Sequence, residues 1–189
     1  MELVAHRECG KCTVCCKVLA IDDPALAKPP GTLCANARAG SGCKIYDTRP
    51  DPCRGFFCGW RYLRELDDKW RPDRSGIMIR LQTSAVPPGY QPMGIQFLVF
   101  GGADVINPGF VNYISSLVAR RIAVFLALRG PEGYSDVSVL LNDHLAAAVA
   151  RGDRNTIVKT LRGALEAMSK NKFERAVLKH APTATAAAN

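Results

Sequence analysis

Cys9-Gly10-Lys11-Cys12-Thr13-Val14-Cys15-Cys16 (CGKCTVCC) opens a cysteine-dense segment that Cys34, Cys43, Cys53 and Cys58 complete. All eight cysteines of the 189-residue chain fall within its first 58 residues. A chain of this length buries a stable core without covalent staples, so the thiols need a chemical reason. Two thiols separated by two residues turn together toward one ion in a tight knuckle, the spacing of zinc and iron–sulfur sites. Two overlapping knuckles, an adjacent cysteine and four further thiols make Cys9, Cys12, Cys15, Cys16, Cys34, Cys43, Cys53 and Cys58 the candidate metal ligands. Thiolates select soft metals, so zinc or an iron–sulfur cluster is expected and calcium or magnesium is not. The spacing leaves zinc and iron–sulfur both open. Adjacent Cys15 and Cys16 do not easily serve one tetrahedral ion together.

Other readings of the same residues fit less well. Eight is an even number, but a disulfide scaffold belongs to small secreted domains, and no secretory signal stands in MELVAHRECGKC. A thioredoxin-like role for Cys9-Gly10-Lys11-Cys12 needs a preceding strand, and only eight residues come before it. The bacterial ferredoxin run and the radical-SAM pattern both require a cysteine where this chain has Leu19. His6-Arg7-Glu8 with Pro52-Cys53 and Cys58 echoes a zinc deaminase, yet six cysteines would be left over. His6 reads as exposed, and His144 and His180 as ordinary helical residues. The chain lacks G-x-S-x-G, H-E-x-x-H, Walker A and G-x-G-x-x-G motifs.

The longer string is more specific. CGKCTVCCKVLAI, then Cys34, then GCKIYDTRPDPCRGFFCGW, resembles the YkgJ-like CxxCxxCC cysteine-cluster family (UPF0153-like) of zinc- or iron-chelating proteins. The resemblance covers residues 9–60 and includes Ile45-Tyr46, Arg49-Pro50 and Cys53-Arg54-x-Phe56-x-Cys58. It implies a bacterial metal-binding protein, with some relatives described as iron–sulfur oxidoreductases and others similar to flagellin lysine methylases. Whether this chain is an enzyme stays open. On the residues themselves, Arg49 and Arg54 are placed to support thiolate charge, and Tyr46 and Phe56 to shield it from water.

Outward from the cysteines, Lys28-Pro29-Pro30-Gly31 and Ala39-Gly40-Ser41-Gly42 are loop signals. Thr48 is expected to cap a helix entered through Pro50 and Pro52, running through Phe56, Phe57, Trp60, Tyr62, Leu63 and Leu66 to Trp70. Those aromatics read as packing. Beyond a boundary near Arg71–Gly76, strands are expected at Ile77–Gln82, Gly94–Gly101 and Val137–Leu141. Gly101–Asp104 is a turn candidate. Asn107-Pro108 starts a helix with an apolar face of Val111, Ile114, Val118, Ile122 and Phe125, expected to end at Gly130-Pro131. Asn142 or Asp143 caps a helix to Arg151. Asp153 or Asn155 caps another with the core stripe Ile157, Leu161, Leu165 and Met168. The fold expected is α+β: an irregular cysteine-rich metal module over residues 1–72, docked on a small mixed sheet with helices over 73–180. A disordered tail follows at 181–189.

The net charge is +8, with most of the excess beyond residue 75, where 12 basic residues face 7 acidic ones. That balance permits an anionic partner without requiring one. Nucleic-acid binding is disfavoured, since no finger spacing and no basic run beyond Arg120-Arg121 is present. The longest apolar stretch, Val118–Leu128, is interrupted by that pair, so no membrane span is expected, and reduced thiols point to the cytoplasm. The chain reads as a metal-binding protein. The alternative is an iron–sulfur oxidoreductase or a cluster-dependent modifying enzyme.

Overall fold

In the computed structural model, residues 1–84, 86–102 and 105–180 are described. The expected tail, 181–189, and Ala103-Asp104 of the expected turn lie outside them. The chain separates into two compact units, each discontinuous in sequence. One holds His6–Phe57, Gly130–Ser135 and residues from Phe173 onward. The other holds Met1–Ala5, Cys58–Arg129 and Asp136–Lys172. The division therefore falls at residue 57 rather than 72, and two later segments rejoin the first unit.

The cysteine-rich unit is built from short pieces. Helix α1 (Val14–Val18) leads into an antiparallel hairpin of β1 (Ile21–Asp23) and β2 (Leu26–Lys28). A smaller hairpin pairs β3 (Ala37–Arg38) with β4 (Gly42–Cys43), and α2 (Asp51–Arg54) follows. Among the described residues, one small apolar cluster joins Ile21, Cys34 and Ala37, with Cys16, Leu26 and Cys53 packed around it, and Val18 of α1 is buried as well. The rest of this unit is tied by main-chain bonds, including Gly133 N–H to Pro30 O and Ala176 N–H to Gly133 O.

The expected aromatic helix to Trp70 does not form. Helix α2 stops at Arg54, and Pro50 rather than Thr48 occupies its N-cap. Single 3-10 turns at Gly59–Arg61 and Asp68–Trp70 replace the remainder. Gly59 explains one break: a Cβ there would lie 2.4 Å from Ile79 Cγ2, so this turn presses its backbone onto the sheet. The packing role of the aromatics holds for Trp60, which is buried, and for Trp70, which meets Phe97, Phe110 and Tyr113 at ring-centroid distances of 5.1–6.4 Å.

The second unit centres on a four-stranded mixed sheet. Helix α3 (Pro72–Ser75) ends at left-handed Gly76 and enters β5 (Ile77–Gln82). Strand β5 pairs antiparallel with β6 (Gly94–Val99), β6 parallel with β7 (Val124–Leu128), and β7 antiparallel with β8 (Val137–Leu140). The parallel pair is joined by α4 (Pro108–Ala119), whose N-cap Asn107 accepts a hydrogen bond from Phe110 N–H. Helices α5 (Asn142–Ala150) and α6 (Arg154–Ser169) complete the unit. One face of the sheet presents Ile77, Ile79, Ile95, Phe97, Val99, Val124 and Leu126 to Phe110, Ile114, Leu117, Leu145, Ile157 and Leu161 of the helices. On the opposite face, Arg80 bridges Gln96 and Asp136.

Strand β7 corrects the expectation of one helix from Asn107 to Gly130. Helix α4 closes at Ala119 with a Schellman motif: Ile122 N–H bonds Leu117 O and Arg121 N–H bonds Val118 O. The left-handed position of that motif usually falls to glycine, but here Arg121 takes it at φ 57°. Asn142 also differs from expectation. It lies inside α5, and its side chain accepts from Val124 N–H and donates to Ile122 O, both at 2.8 Å. Asp153 caps α6 as expected, accepting from Thr156 N–H.

Asn142 thus satisfies two buried main-chain groups at the head of β7. Leaving a buried polar group unsatisfied costs about 1–3 kcal/mol, so Asn142→Ala is expected to lose about 2–4 kcal/mol. Urea denaturation of the full chain measures this. A loss below about 0.5 kcal/mol, the scale of ordinary surface changes, would contradict it.

Candidate metal centre

The knuckle Cys9–Cys12 is closed by a hydrogen bond from Cys12 N–H to Cys9 O at 2.8 Å. Gly10 is left-handed at φ 50°, which glycine adopts without strain. Its carbonyl oxygen lies 2.7 Å from where a Cβ on Gly42 would stand. Glycine at position 42 therefore lets the knuckle lie directly against β4, beside Cys43. Cys15 and Cys16 sit on α1. Cys34 N–H donates to Cys16 O at 3.0 Å and fixes the Cys34 loop to that helix. Cys34 itself is buried. Cys53 on α2 packs against the Ile21, Cys34 and Ala37 cluster.

These pieces bring seven cysteines to the walls of one cavity. Cys9, Cys12, Cys15, Cys16, Cys34, Cys43 and Cys53 all line a single cavity of about 80 Å³. That volume takes a few water-sized bodies and falls well short of the 300–1,000 Å³ typical of organic-ligand pockets. Leu19, Ile21, Leu26, Ile45 and Phe56 give it apolar walls. All eight cysteines are thiols and none is in a disulfide. Cys58 belongs to the other unit, where it precedes the Gly59–Arg61 turn and packs against the apolar core. Among the described residues, no three His, Cys, Asp or Glu side chains stand in a geometry that closes around one ion. The donor set is nonetheless one that soft metals select, and each Sγ is redirected by rotation about a single bond.

Charge in the cavity is unevenly shared. Cys15 and Cys16 interact through a side-chain hydrogen bond that pulls their affinities for the proton apart. The Cys15 thiol, donating that bond and buried among other thiols, is held far above its ordinary range. Cys16 receives the bond, and with Lys28 and Arg49 nearby its value falls to about 7 from an ordinary 9.0. Burial raises Cys53.

Two cations attend these groups. Arg49 lines the cavity with its guanidinium carbon 3.8 Å from the Tyr46 ring centroid. Its Nε is buried and has no hydrogen-bond partner among the described residues. A buried donor without a partner is costly, and a sulfur anion is a fitting acceptor. Lys28 is 5% exposed and donates to the carbonyls of Lys17, Leu19 and Pro29. Burial lowers its affinity for the proton, while Cys34, Cys16, Cys15 and Cys53 act to raise it.

The expected roles divide. Arg49 is at the cavity, whereas Arg54 is exposed and paired with Asp51. Tyr46 and Phe56 both line the cavity, though Tyr46 keeps 38% of its surface exposed. His6 is exposed and does not line the cavity, and His144 lies exposed on α5. His180, exposed too, lies outside any helix and places Nδ1 3.1 Å from Asp22 Oδ1. In the sequence Lys28 is part of a loop signal, Lys28-Pro29-Pro30-Gly31. Its pairing with Ile21 across the β1–β2 hairpin is what turns it inward, and that register is not visible in the sequence.

The folded value of Cys16 lies below the unfolded one and that of Cys15 above it. Midway between pH 7 and 9 the folded pair carries about one proton and the unfolded pair nearly two. Stability of the reduced, metal-free protein is therefore expected to rise from pH 7 to 9 through this pair and fall above pH 9. Thiolate absorbance is expected to show one equivalent with a midpoint near 7, which Cys15→Ala moves back toward 9.0. A wild-type titration with no step near neutrality would contradict the assignment. No protein-family model, curated protein or solved structure matches this chain, so its function is argued from these residues alone.

Proposed function

We propose that this chain is a metal-binding protein of the YkgJ-like cysteine-cluster kind, holding zinc or an iron–sulfur cluster through the thiolates of its cysteine-rich unit. The observation that carries this reading is the convergence of seven cysteines on one small, apolar-walled cavity. Four thiolates complete a tetrahedral zinc site or hold a [4Fe–4S] cluster, so seven exceed what one such centre needs. Cys9, Cys12, Cys15, Cys16, Cys34, Cys43 and Cys53 are the proposed ligands. Cys58 is left to the apolar core of the other unit. A reduced thiol set of this density suits a reducing compartment such as the cytoplasm. No helix among the described residues is long and apolar enough to cross a membrane.

Bound zinc would act structurally, joining α1, the Cys34 loop, β4 and α2, which share a small apolar cluster. A cluster-dependent enzyme is the second reading. The walls of Leu19, Ile21, Leu26, Ile45 and Phe56 favour it, because exclusion of water is one way a protein tunes cluster potential.

Elemental analysis and an optical spectrum of anaerobically purified full-length protein test both. A colourless protein with stoichiometric zinc supports the structural reading. A brown protein that bleaches on reduction supports the second. Cys34→Ser is expected to lose most of the bound metal and Cys58→Ser to retain it. A wild-type chain that takes up neither zinc nor iron and sulfide under reducing conditions would overturn the proposal.

A further inference from the structure

The buried ammonium of Lys28 has no carboxylate partner among the described residues. It is 5% exposed, at the inner end of β2. Three main-chain carbonyls, from Lys17, Leu19 and Pro29, accept its three N–H groups. Those bonds fix its position and satisfy its donors but bring no net negative charge. A buried charge without an opposite charge is strongly disfavoured. Two of those carbonyls, of Lys17 on α1 and Leu19 at its C-cap, stand beside Cys15 and Cys16, which share one cavity with Leu19, Cys34 and Cys53.

The need runs in both directions. Four thiolates around a divalent ion leave a net charge of about −2 inside apolar walls, which is equally disfavoured alone. A fixed cation beside them lowers that cost, as groups behind metal ligands commonly do. Arg49 supplies a second cation, but from a side chain stacked on partly exposed Tyr46. Lys28 is the one held rigidly at three points.

From this we propose that Lys28 is the built-in counter-cation of the thiolate centre, a positioning residue whose charge tightens metal binding without touching the metal. The inference rests on the proposed metal-binding function. A merely structural lysine would serve through its hydrogen bonds, and any good donor would replace it. A counter-cation serves through its charge, and only another cation would.

Anaerobic titration of the full chain with cobalt(II), followed by the thiolate-to-cobalt charge-transfer bands, separates these roles. Lys28→Gln keeps a donor and loses the charge; Lys28→Arg keeps the charge. Cobalt affinity is expected to fall by about tenfold or more in Lys28→Gln and to stay within about threefold of wild type in Lys28→Arg. Equal affinity in wild type and Lys28→Gln would overturn the proposal, as would equal weakening in both variants. If Lys28→Gln loses its far-ultraviolet circular dichroism, Lys28→Met replaces it. Unfolding of both neutral variants while Lys28→Arg folds would assign the charge to folding alone and also overturn the proposal. Absence of thiolate–cobalt bands in wild type would overturn the metal-binding function itself, an outcome distinct from the others.

Discussion

Seven cysteines lining a cavity of about 80 Å³ cannot all be charged unless positive charge is placed among them, and the cysteine-rich unit is arranged around that constraint. The metal-free protein meets it with retained protons and with cations. The hydrogen bond from Cys15 to Cys16 favours the Cys15 thiol and the Cys16 thiolate, and burial favours the Cys53 thiol. Lys28 and Arg49 stand close enough to favour the Cys16 thiolate. A bound soft cation would take over from the protons, which is why metal binding and proton release are one process in such sites. Among the described residues, the unit's apolar cluster joins three residues, and its hairpin strands are three and two residues long.

The sheet unit obeys a different physics. Its stability comes from apolar area buried between one sheet face and three helices, with main-chain polar groups satisfied at the corners. Asn142 shows how closely the second condition is met. A residue type common at helix caps is spent instead on closing the junction between β7 and α5. Cys58 follows the rules of this unit rather than those of the other cysteines. It is partly buried against the core that Trp60 and Leu63 also enter.

How much of this was legible depended on whether a residue's role is set locally. Ile77–Gln82 was readable as a strand, Asn107 as a cap over Pro108 and Asp153 as a cap over α6, because each signal lies within a few residues. The end of α4 was not readable, since the left-handed position carries Arg121 in place of glycine and the apolar run continues past it. That hid β7, whose Val124–Leu128 fits a helical stripe and a strand equally well until β6 and β8 are placed beside it. The aromatic helix expected up to Trp70 failed for a related reason. Gly59 answers to Ile79, twenty residues away, not to its helical neighbours.

The candidate site divides along the same line. Cysteine spacing marked the candidate donors, because a knuckle is a local object. Spacing could not separate Cys58 from the other seven, since only four residues lie between it and Cys53 while the unit boundary falls inside that gap. Nor could it mark Lys28, which sits in a hairpin register with Ile21 and faces thiols from α1, the Cys34 loop and α2. Ligands are written in a sequence as motifs, whereas the charges that make ligands tolerable to one another are written only in three dimensions. In this chain the second set bears on how readily Cys16 ionises, through Lys28 and Arg49.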